Sequence, residues 1–72
     1  MQLQIPNHGK VPALYPRDIK AGMEIFLDDC SIATVESIVK VDLNWFEITV
    51  LTRKNDKLMF RKRYSTIIGL NQ

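Results

Sequence analysis

One segment constrains the fold of this chain more than any other: Ile32–Val41, whose apolar residues change face midway. The segment is rich in Val, Ile and Thr, as β-strands are. Because strand side chains alternate, Ala33 and Val35 share one face whereas Ile38 falls on the other. One extra residue near Glu36–Ser37 would return Ile38 to the core side. The sequence therefore predicts a β-bulge and a sharply bent strand, which favours a strongly curved sheet.

Other β-type segments accompany this strand, and turn-forming residues separate them. Asp42-Leu43-Asn44 and Lys54–Asp56 have the composition of turns. The five predicted strands are Met23–Leu27, Ile32–Val41, Trp45–Thr52, Lys57–Tyr64 and Ile67–Leu70. Short antiparallel strands with one sharply bent member predict an all-β domain. In architecture we expect a small, strongly bent, five-stranded antiparallel SH3-like barrel over residues 23–72.

The first 22 residues differ from the rest because they contain all three prolines and two of the three glycines. Gln2–Ile5 has the pattern of a short strand, and Pro6-Asn7-His8-Gly9 is a strong turn sequence. Proline at a first helical position favours one helical turn over Pro16–Ile19. Apart from these elements, we predict that residues 1–22 form an irregular arm packed on the barrel.

The last predicted hairpin has two apolar rows that restrict its register. The rows are Phe46, Ile48 and Val50 on one strand and Leu58, Phe60 and Tyr64 on the other. Both rows face the core only if the paired residue numbers have an even sum. A three-residue loop, Lys54-Asn55-Asp56, satisfies this condition, and Asn or Asp tolerates the left-handed backbone of such a loop. The predicted pairs are Val50–Phe60, Leu51–Met59, Thr49–Arg61 and Glu47–Arg63.

Residues 53–64, RKNDKLMFRKRY, concentrate the positive charge of the chain. They contain six basic side chains and one acidic one, a net charge of +5, so the other sixty residues together carry −3. The outward residues of this basic hairpin would be Arg53, Lys57, Arg61 and Arg63, with Trp45 on the same face, while Lys62 would lie at the barrel rim. Such a face could bind phosphates while a nucleic-acid base stacks on the indole. The same charges could also merely solubilise the hairpin and protect its edge.

A competing hypothesis rests on an apolar row on that outer face. Its members are Val39, Val41, Trp45, Leu51 and Met59. The amino-terminal arm could cover the row with Leu3, Ile5, Val11, Leu14 and Tyr15. If the arm does not cover it, contiguous exposed apolar surface of this kind marks an interface. A homo-oligomer or another protein would then contact Trp45, Leu51 and Met59, with Arg61 and Arg63 at the rim.

Residues suited to catalysis or metal binding are sparse. Cys30 and His8 are the only members of their types, and neither a third orienting residue nor a glycine-rich oxyanion loop accompanies them. Asp28 and Asp29 add no repeated ligand spacing of the kind found in zinc sites. Phosphate-binding glycine loops are absent. We therefore expect a protein that is not an enzyme and that binds no metal, cofactor or small-molecule substrate.

A lone cysteine forms no intrachain disulfide and fits a reducing cytoplasm. Apolar stretches are far shorter than the roughly 18 residues of a membrane-spanning helix, and the start of the sequence has no signal-peptide pattern. We expect a cytoplasmic binding module, of a size that suits an accessory or regulatory protein such as viruses encode. Protein docking or self-association through the apolar outer row is the leading prediction. Nucleic-acid binding by the basic hairpin is the alternative.

Overall fold

The structure is a computed structural model that describes all 72 residues. It contains seven strands and no α-helix, and none of its helical turns could cross a membrane. A 3-10 turn, Pro16–Asp18, links the second strand to the third, as predicted. The strands are β1 (Gln2–Ile5), β2 (Gly9–Leu14), β3 (Glu24–Phe26), β4 (Ile32–Lys40), β5 (Trp45–Thr52), β6 (Lys57–Arg63) and β7 (Ile68–Gly69).

The strands form two antiparallel sheets. The larger sheet has the order β3-β4-β5-β6 and the smaller one the order β1-β2-β7. A single antiparallel bridge between Ile25 and Leu70 connects them. Backbone pairing therefore follows one continuous order, β1-β2-β7-β3-β4-β5-β6, in which β1 and β6 are the two terminal strands. The all-β prediction is confirmed, with five strands after residue 22 close to their predicted bounds.

The predicted bulge in β4 is confirmed. Val35 pairs with Val50, but the next pair is Ser37 with Thr49, which leaves Glu36 as the extra residue. Ile38 consequently pairs with Ile48 and packs against the core. The bulge thus bends β4 and keeps both of its apolar segments on the inner face.

The core lies between the two sheets. Ile25, Val35, Ile48 and Val50 are at most 1% exposed, and Ile68 and Leu70 of the smaller sheet complete the cluster with Ile19 and Ala33. Since burial of one such side chain contributes about 1.5–3 kcal/mol, this cluster is the main source of stability in so short a chain. The inner face of the larger sheet is therefore packed against the smaller sheet, which supports the outer face.

The predicted register of the β5–β6 hairpin is wrong by two residues, although its parity is right. The structure pairs Trp45 with Arg63, Glu47 with Arg61, Ile48 with Phe60 and Val50 with Leu58. The three-residue loop is Arg53-Lys54-Asn55, in which Asn55 has a φ of 67°. Both registers satisfy the parity rule, so other contacts decide. Thr52 makes two of them: its N–H donates to the Asp56 carbonyl at 2.8 Å, and its hydroxyl accepts from the Asp56 N–H at 3.1 Å.

The prediction of an irregular amino-terminal arm is also wrong, because Gly9–Leu14 is a strand. The predicted turn over Pro6–His8 joins it to β1, with Asn7 at a φ of 67°. Proline usually argues against a strand, but the pair of Pro12 with Gln2 needs no N–H from Pro12. On the other side of β2, the Pro12 carbonyl accepts from the N–H of Leu70 at 2.8 Å, so only one possible ladder bond is lost. The chain therefore has one strand that was not predicted, β2, besides the predicted short strand Gln2–Ile5 and the five strands after residue 22.

The amino-terminal hairpin does not cover the outer apolar row. It folds over β7, where a Cβ atom on Gly69 would lie 3.1 Å from Val11 Cγ2 and 3.3 Å from Ile5 Cδ1. A side chain at position 69 would require these two side chains to shift by a few tenths of an ångström. Val39 and Met59 on the other sheet consequently remain 56% and 66% exposed.

Candidate functional site

Cross-strand pairing arranges the outer face of β4, β5 and β6 in rows. From the turn end of the β4–β5 hairpin, the rows are Val41–Trp45–Arg63, Val39–Glu47–Arg61, Ser37–Thr49–Met59 and Thr34–Leu51–Lys57. Met59 lies two rows from Trp45, and the ion pair between Glu47 and Arg61 lies between them. The predicted apolar row is thus divided into a part near Trp45 and a part containing Met59 and the half-buried Leu51.

The part near Trp45 is extended by a residue that the sequence prediction did not include. Leu43, in the turn between β4 and β5, is 83% exposed, more than any other large apolar side chain. We call Val39, Val41, Leu43 and Trp45 the hairpin tip. The sequence contained one sign of this exposure: Leu43 stands between Asp42 and Asn44, at a turn position where a polar residue would be expected. The tip presents four exposed apolar side chains within seven residues.

Hydrogen bonds hold the turn of the hairpin tip in one conformation. Asp42 Oδ1 accepts from the N–H of Asn44 at 2.8 Å and from the N–H of Trp45 at 3.0 Å. The carbonyl of Asn44 accepts from the N–H of Tyr64 at 2.8 Å, which anchors the turn to the end of β6. A preformed surface loses little conformational entropy when a partner binds, so the tip is suited to an interface.

Arg63 lies beside the hairpin tip. Its guanidinium carbon is 5.8 Å from the centroid of the Trp45 ring, within the range of a cation–π contact. Arg63 makes no ion pair in the structure. The tip therefore combines apolar surface with one unneutralised positive charge.

Most of the basic hairpin is neutralised by nearby carboxylates. Arg53 pairs with Glu24 at 3.5 Å, Lys57 with Glu36 at 3.2 Å, Arg61 with Glu47 at 3.5 Å and Lys62 with Asp28 at 2.8 Å. Lys54 and Arg63 are the two basic residues of the segment without an acidic partner. Exposed pairs of this kind add little stability. They do, however, place negative charge where phosphates would have to lie.

Lys62 occupies the rim position that its inward-facing parity predicts. Its side chain is 22% exposed, and its Nζ lies 5.7 Å from the centroid of the Phe60 ring. The aliphatic stem is therefore largely covered while the ammonium group reaches Asp28. This arrangement makes Lys62 unsuitable as a free anion-binding group.

Cys30 and His8 lie in two different turns. Cys30 is half-buried in the turn between β3 and β4, with a φ of 68°, and no side-chain hydrogen bond joins it to His8. His8 is exposed and its ring packs against Phe26 at 4.8 Å between centroids. Asp29 nearby accepts hydrogen bonds from the hydroxyl and N–H of Ser31, which lower the pKa of its carboxyl group. No group of three His, Cys, Asp or Glu side chains converges to hold a metal ion.

A cleft of about 590 Å³ is the remaining surface feature. Its walls include Leu3 and Ile5 of β1, Leu58 and Phe60 of β6, and Ile67, which directly precedes β7. The sequence prediction missed the cleft because it depends on how two strands that do not pair are placed. Comparison of the chain with protein-family models, with curated proteins and with solved structures finds no match.

Proposed function

We propose that this protein is a non-enzymatic binding module that docks through its hairpin tip on a protein partner or on a second copy of itself. One observation carries the proposal: four apolar side chains are exposed together on a preformed turn. Exposed apolar clusters mark interfaces. Trp and Arg, the types found at Trp45 and Arg63, are also the residues most enriched among binding hot spots.

Trp45 and Leu43 would be the central contacts of this interface. Val39 and Val41 extend the apolar surface along β4, whereas Leu51 and Met59 lie beyond Glu47 and would contribute at its edge. Arg63 would reach an acidic group at the partner's rim, with Arg61 beside it. An apolar pocket bordered by carboxylates is the partner surface that complements this arrangement.

For the architecture, we propose an SH3-like barrel in residues 23–72, to which the hairpin of residues 1–22 is added. The sharp bend at the Glu36 bulge and the Ile25–Leu70 bridge between the sheets support it. A strongly bent strand that contributes to a curved wall is typical of small barrels. In this arrangement the hairpin tip lies at the end of a rigid β-ribbon.

Nucleic-acid binding is the second candidate, and the contact between Arg63 and Trp45 is the observation in its favour. A phosphate could contact Arg63 while a base stacks on Trp45, with Arg53, Lys57 and Arg61 along the strand. We rank it second because those last three residues are ion-paired. Fluorescence anisotropy of labelled random-sequence DNA and RNA at low salt tests it. This candidate would be favoured by tight binding at low salt whose dependence on salt, the slope of log K against log[salt], becomes shallower by about one in each of Arg61→Ala and Arg63→Ala.

The docking proposal can be tested with matched apolar substitutions. The tagged protein is recovered from its native host, and co-purifying proteins are quantified for wild type, Trp45→Ala, Leu43→Ser and the control Leu58→Ala. Leu58 is 44% exposed and lies in the cleft, away from the tip. We expect Trp45→Ala to lose about 2 kcal/mol of binding, roughly a 30-fold reduction, as hot-spot tryptophans do.

Thermal unfolding of each variant shows whether it remains folded. The control should retain, at the wild-type level, every partner that the tip variants lose. Folded tip variants that recover every partner as well as wild type does would contradict the proposal.

A further inference from the structure

We propose that the cleft between β1 and β6 is a second binding site, which accepts an extended strand of alternating apolar and acidic residues from a partner protein. The cleft holds about 590 Å³ and is lined mainly by apolar side chains. It lies apart from the hairpin tip, and its role does not depend on the function proposed for the tip. The unpaired strand edges, the strand directions and the charge of β6 each point to this occupant.

The first observation is that both strands beside the cleft have a free backbone edge. β6 pairs only with β5 and β1 only with β2. At the two ends of β6, the Asp56 carbonyl accepts from the N–H of Thr52 and the N–H of Tyr64 donates to the Asn44 carbonyl. The backbone N–H and carbonyl groups of the even-numbered residues of β6 therefore point toward β5. In an antiparallel ladder the alternate residues direct their backbone groups the other way. The free groups of β6 are therefore those of Lys57, Met59 and Arg61.

The free edge of β1 follows from the same reasoning. The N–H of Ala13 donates to the carbonyl of Met1 at 2.9 Å, which makes the neighbouring pair of Gln2 and Pro12 a non-hydrogen-bonded one. Gln2 and Gln4 consequently direct their N–H and carbonyl groups away from β2. An extended peptide between the two edges could satisfy donors and acceptors on both sides.

The second observation is the direction of the terminal strands. Every step in the order β1-β2-β7-β3-β4-β5-β6 is antiparallel, including the Ile25–Leu70 bridge. After six such steps β6 has the same direction as β1, so these two strands cannot form an antiparallel pair with each other. One added strand that runs antiparallel to both would restore the alternation. Addition of a strand to a sheet edge is an established mode of peptide recognition.

The third observation concerns the chemistry of the added strand. Its side chains would alternate between the cleft, where they meet Leu58 and Phe60, and the outer surface beside Lys57 and Arg61. Residues on the first side should be apolar. Those on the second should be acidic, because β6 has four basic residues and no acidic one, and opposite charges across strands attract. Lys57 and Arg61 already pair with Glu36 and Glu47, but these pairs are weak at the surface, so acidic side chains of an added strand would compete for the two basic groups. The same charge disfavours pairing with β6 of a second copy, since like charges would then be adjacent.

NMR spectroscopy of the ¹⁵N-labelled protein tests the inference directly. The probe is a blocked octapeptide, Val-Glu-Val-Glu-Val-Asp-Val-Glu, and the control peptide has lysine at every acidic position. At about 1 mM acidic peptide, enough to populate a weak complex, the amide resonances of Lys57, Met59, Arg61, Gln2 and Gln4 should shift. Their hydrogen exchange should slow in proportion to the bound fraction, by about twofold at half-saturation, because these amides become hydrogen-bonded in the complex. The lysine peptide should produce neither effect.

Two variants at one position show whether the free edge is responsible. Met59→Pro removes an N–H that faces away from β5, as edge strands tolerate, and should abolish the effect of the acidic peptide. Met59→Ala keeps the N–H and should behave as wild type. If Met59→Pro does not fold, the exchange measurement on the wild-type protein still decides.

Unchanged exchange at these five amides in the presence of the acidic peptide would overturn the inference. It would also be overturned if the lysine peptide bound equally well. Concentration-dependent protection of β6 without any peptide would overturn it too, by assigning the edge to a second copy. None of these outcomes bears on the tip, because the tip variants Trp45→Ala and Leu43→Ser test that site separately.

Discussion

The guanidinium carbon of Arg63 lies 5.8 Å from the centre of the Trp45 ring, because the two residues are directly opposite each other in the β5–β6 ladder. In the register predicted from sequence, Arg63 would face Glu47 instead. In the observed register Glu47 forms an ion pair with Arg61, and Arg63 has no acidic partner. A shift of two residues thus changes which basic side chain is available at the hairpin tip.

Replacement of Arg63 should uncover Trp45. Trp45 is 37% exposed in the structure, and it is the only tryptophan, so its fluorescence reports the tip alone. We expect Arg63→Ala to increase quenching by acrylamide and to cost about 0.5–1 kcal/mol of stability, as an exposed cation–π contact does. Arg61→Ala, the control one row away, should leave the quenching unchanged. Equal quenching in all three proteins would mean that Arg63 does not shield the indole.

Asp42 should determine the conformation of the hairpin tip. Asp42→Ala removes the acceptor of two backbone N–H groups and should lower the free energy of unfolding by about 1–2 kcal/mol. Asp42→Asn retains the side-chain oxygen and should lose much less. Denaturant unfolding measures both values. A stability of Asp42→Ala equal to that of wild type would show that the turn holds its shape without this side chain.

A side chain at position 69 should disturb the packing between β7 and the amino-terminal hairpin. A methyl group there would press on Val11 and Ile5, and we expect Gly69→Ala to destabilise the protein by about 1–3 kcal/mol, as overpacking does. Combination with Val11→Ala should recover part of this loss by making room. The expected non-additivity can be measured as a double-mutant cycle in thermal unfolding. Simple addition of the two losses would argue against contact between β2 and β7 at this point.

Asp29 should titrate at a lower pH than an ordinary aspartate. The hydroxyl and N–H of Ser31 donate to its carboxylate and lower its pKa below the unfolded value. The resulting stabilisation is present above the unfolded pKa and is lost as the pH falls through the lower folded value. Ser31→Ala should raise the pKa of Asp29 toward its ordinary value. Carbon-detected NMR titration of both proteins checks this, and identical titration curves would refute it.

The sequence predicted those features that depend on local pattern. The shift in parity between Val35 and Ile38 allowed one solution, a bulge near Glu36. The β5–β6 hairpin was determined only in part, because two registers place the same residues on the core face. The choice between them rests on hydrogen bonds of Thr52 with Asp56, which parity does not encode.

Other features depended on tertiary contacts. β2 was not predicted because its glycine and proline are typical of loops, and it becomes a strand by pairing with β1 and β7. Leu43 was missed because a turn residue has no alternating neighbours from which its exposure could be inferred. The ion pairs of Arg53 and Lys62 join segments about thirty residues apart in sequence. The local sequence of the basic hairpin therefore gave no sign that acidic residues elsewhere neutralise these two charges.

Photo-crosslinking from Leu43 tests the proposed docking tip most directly. A photoreactive benzoylphenylalanine replaces Leu43 in the protein expressed in its native host, and Lys10, exposed on the other sheet, is the control position. The docking account predicts a discrete protein adduct from position 43, none from position 10, and loss of the adduct when Trp45→Ala is added. Absence of an adduct from position 43, or the same adducts from both positions, would contradict it.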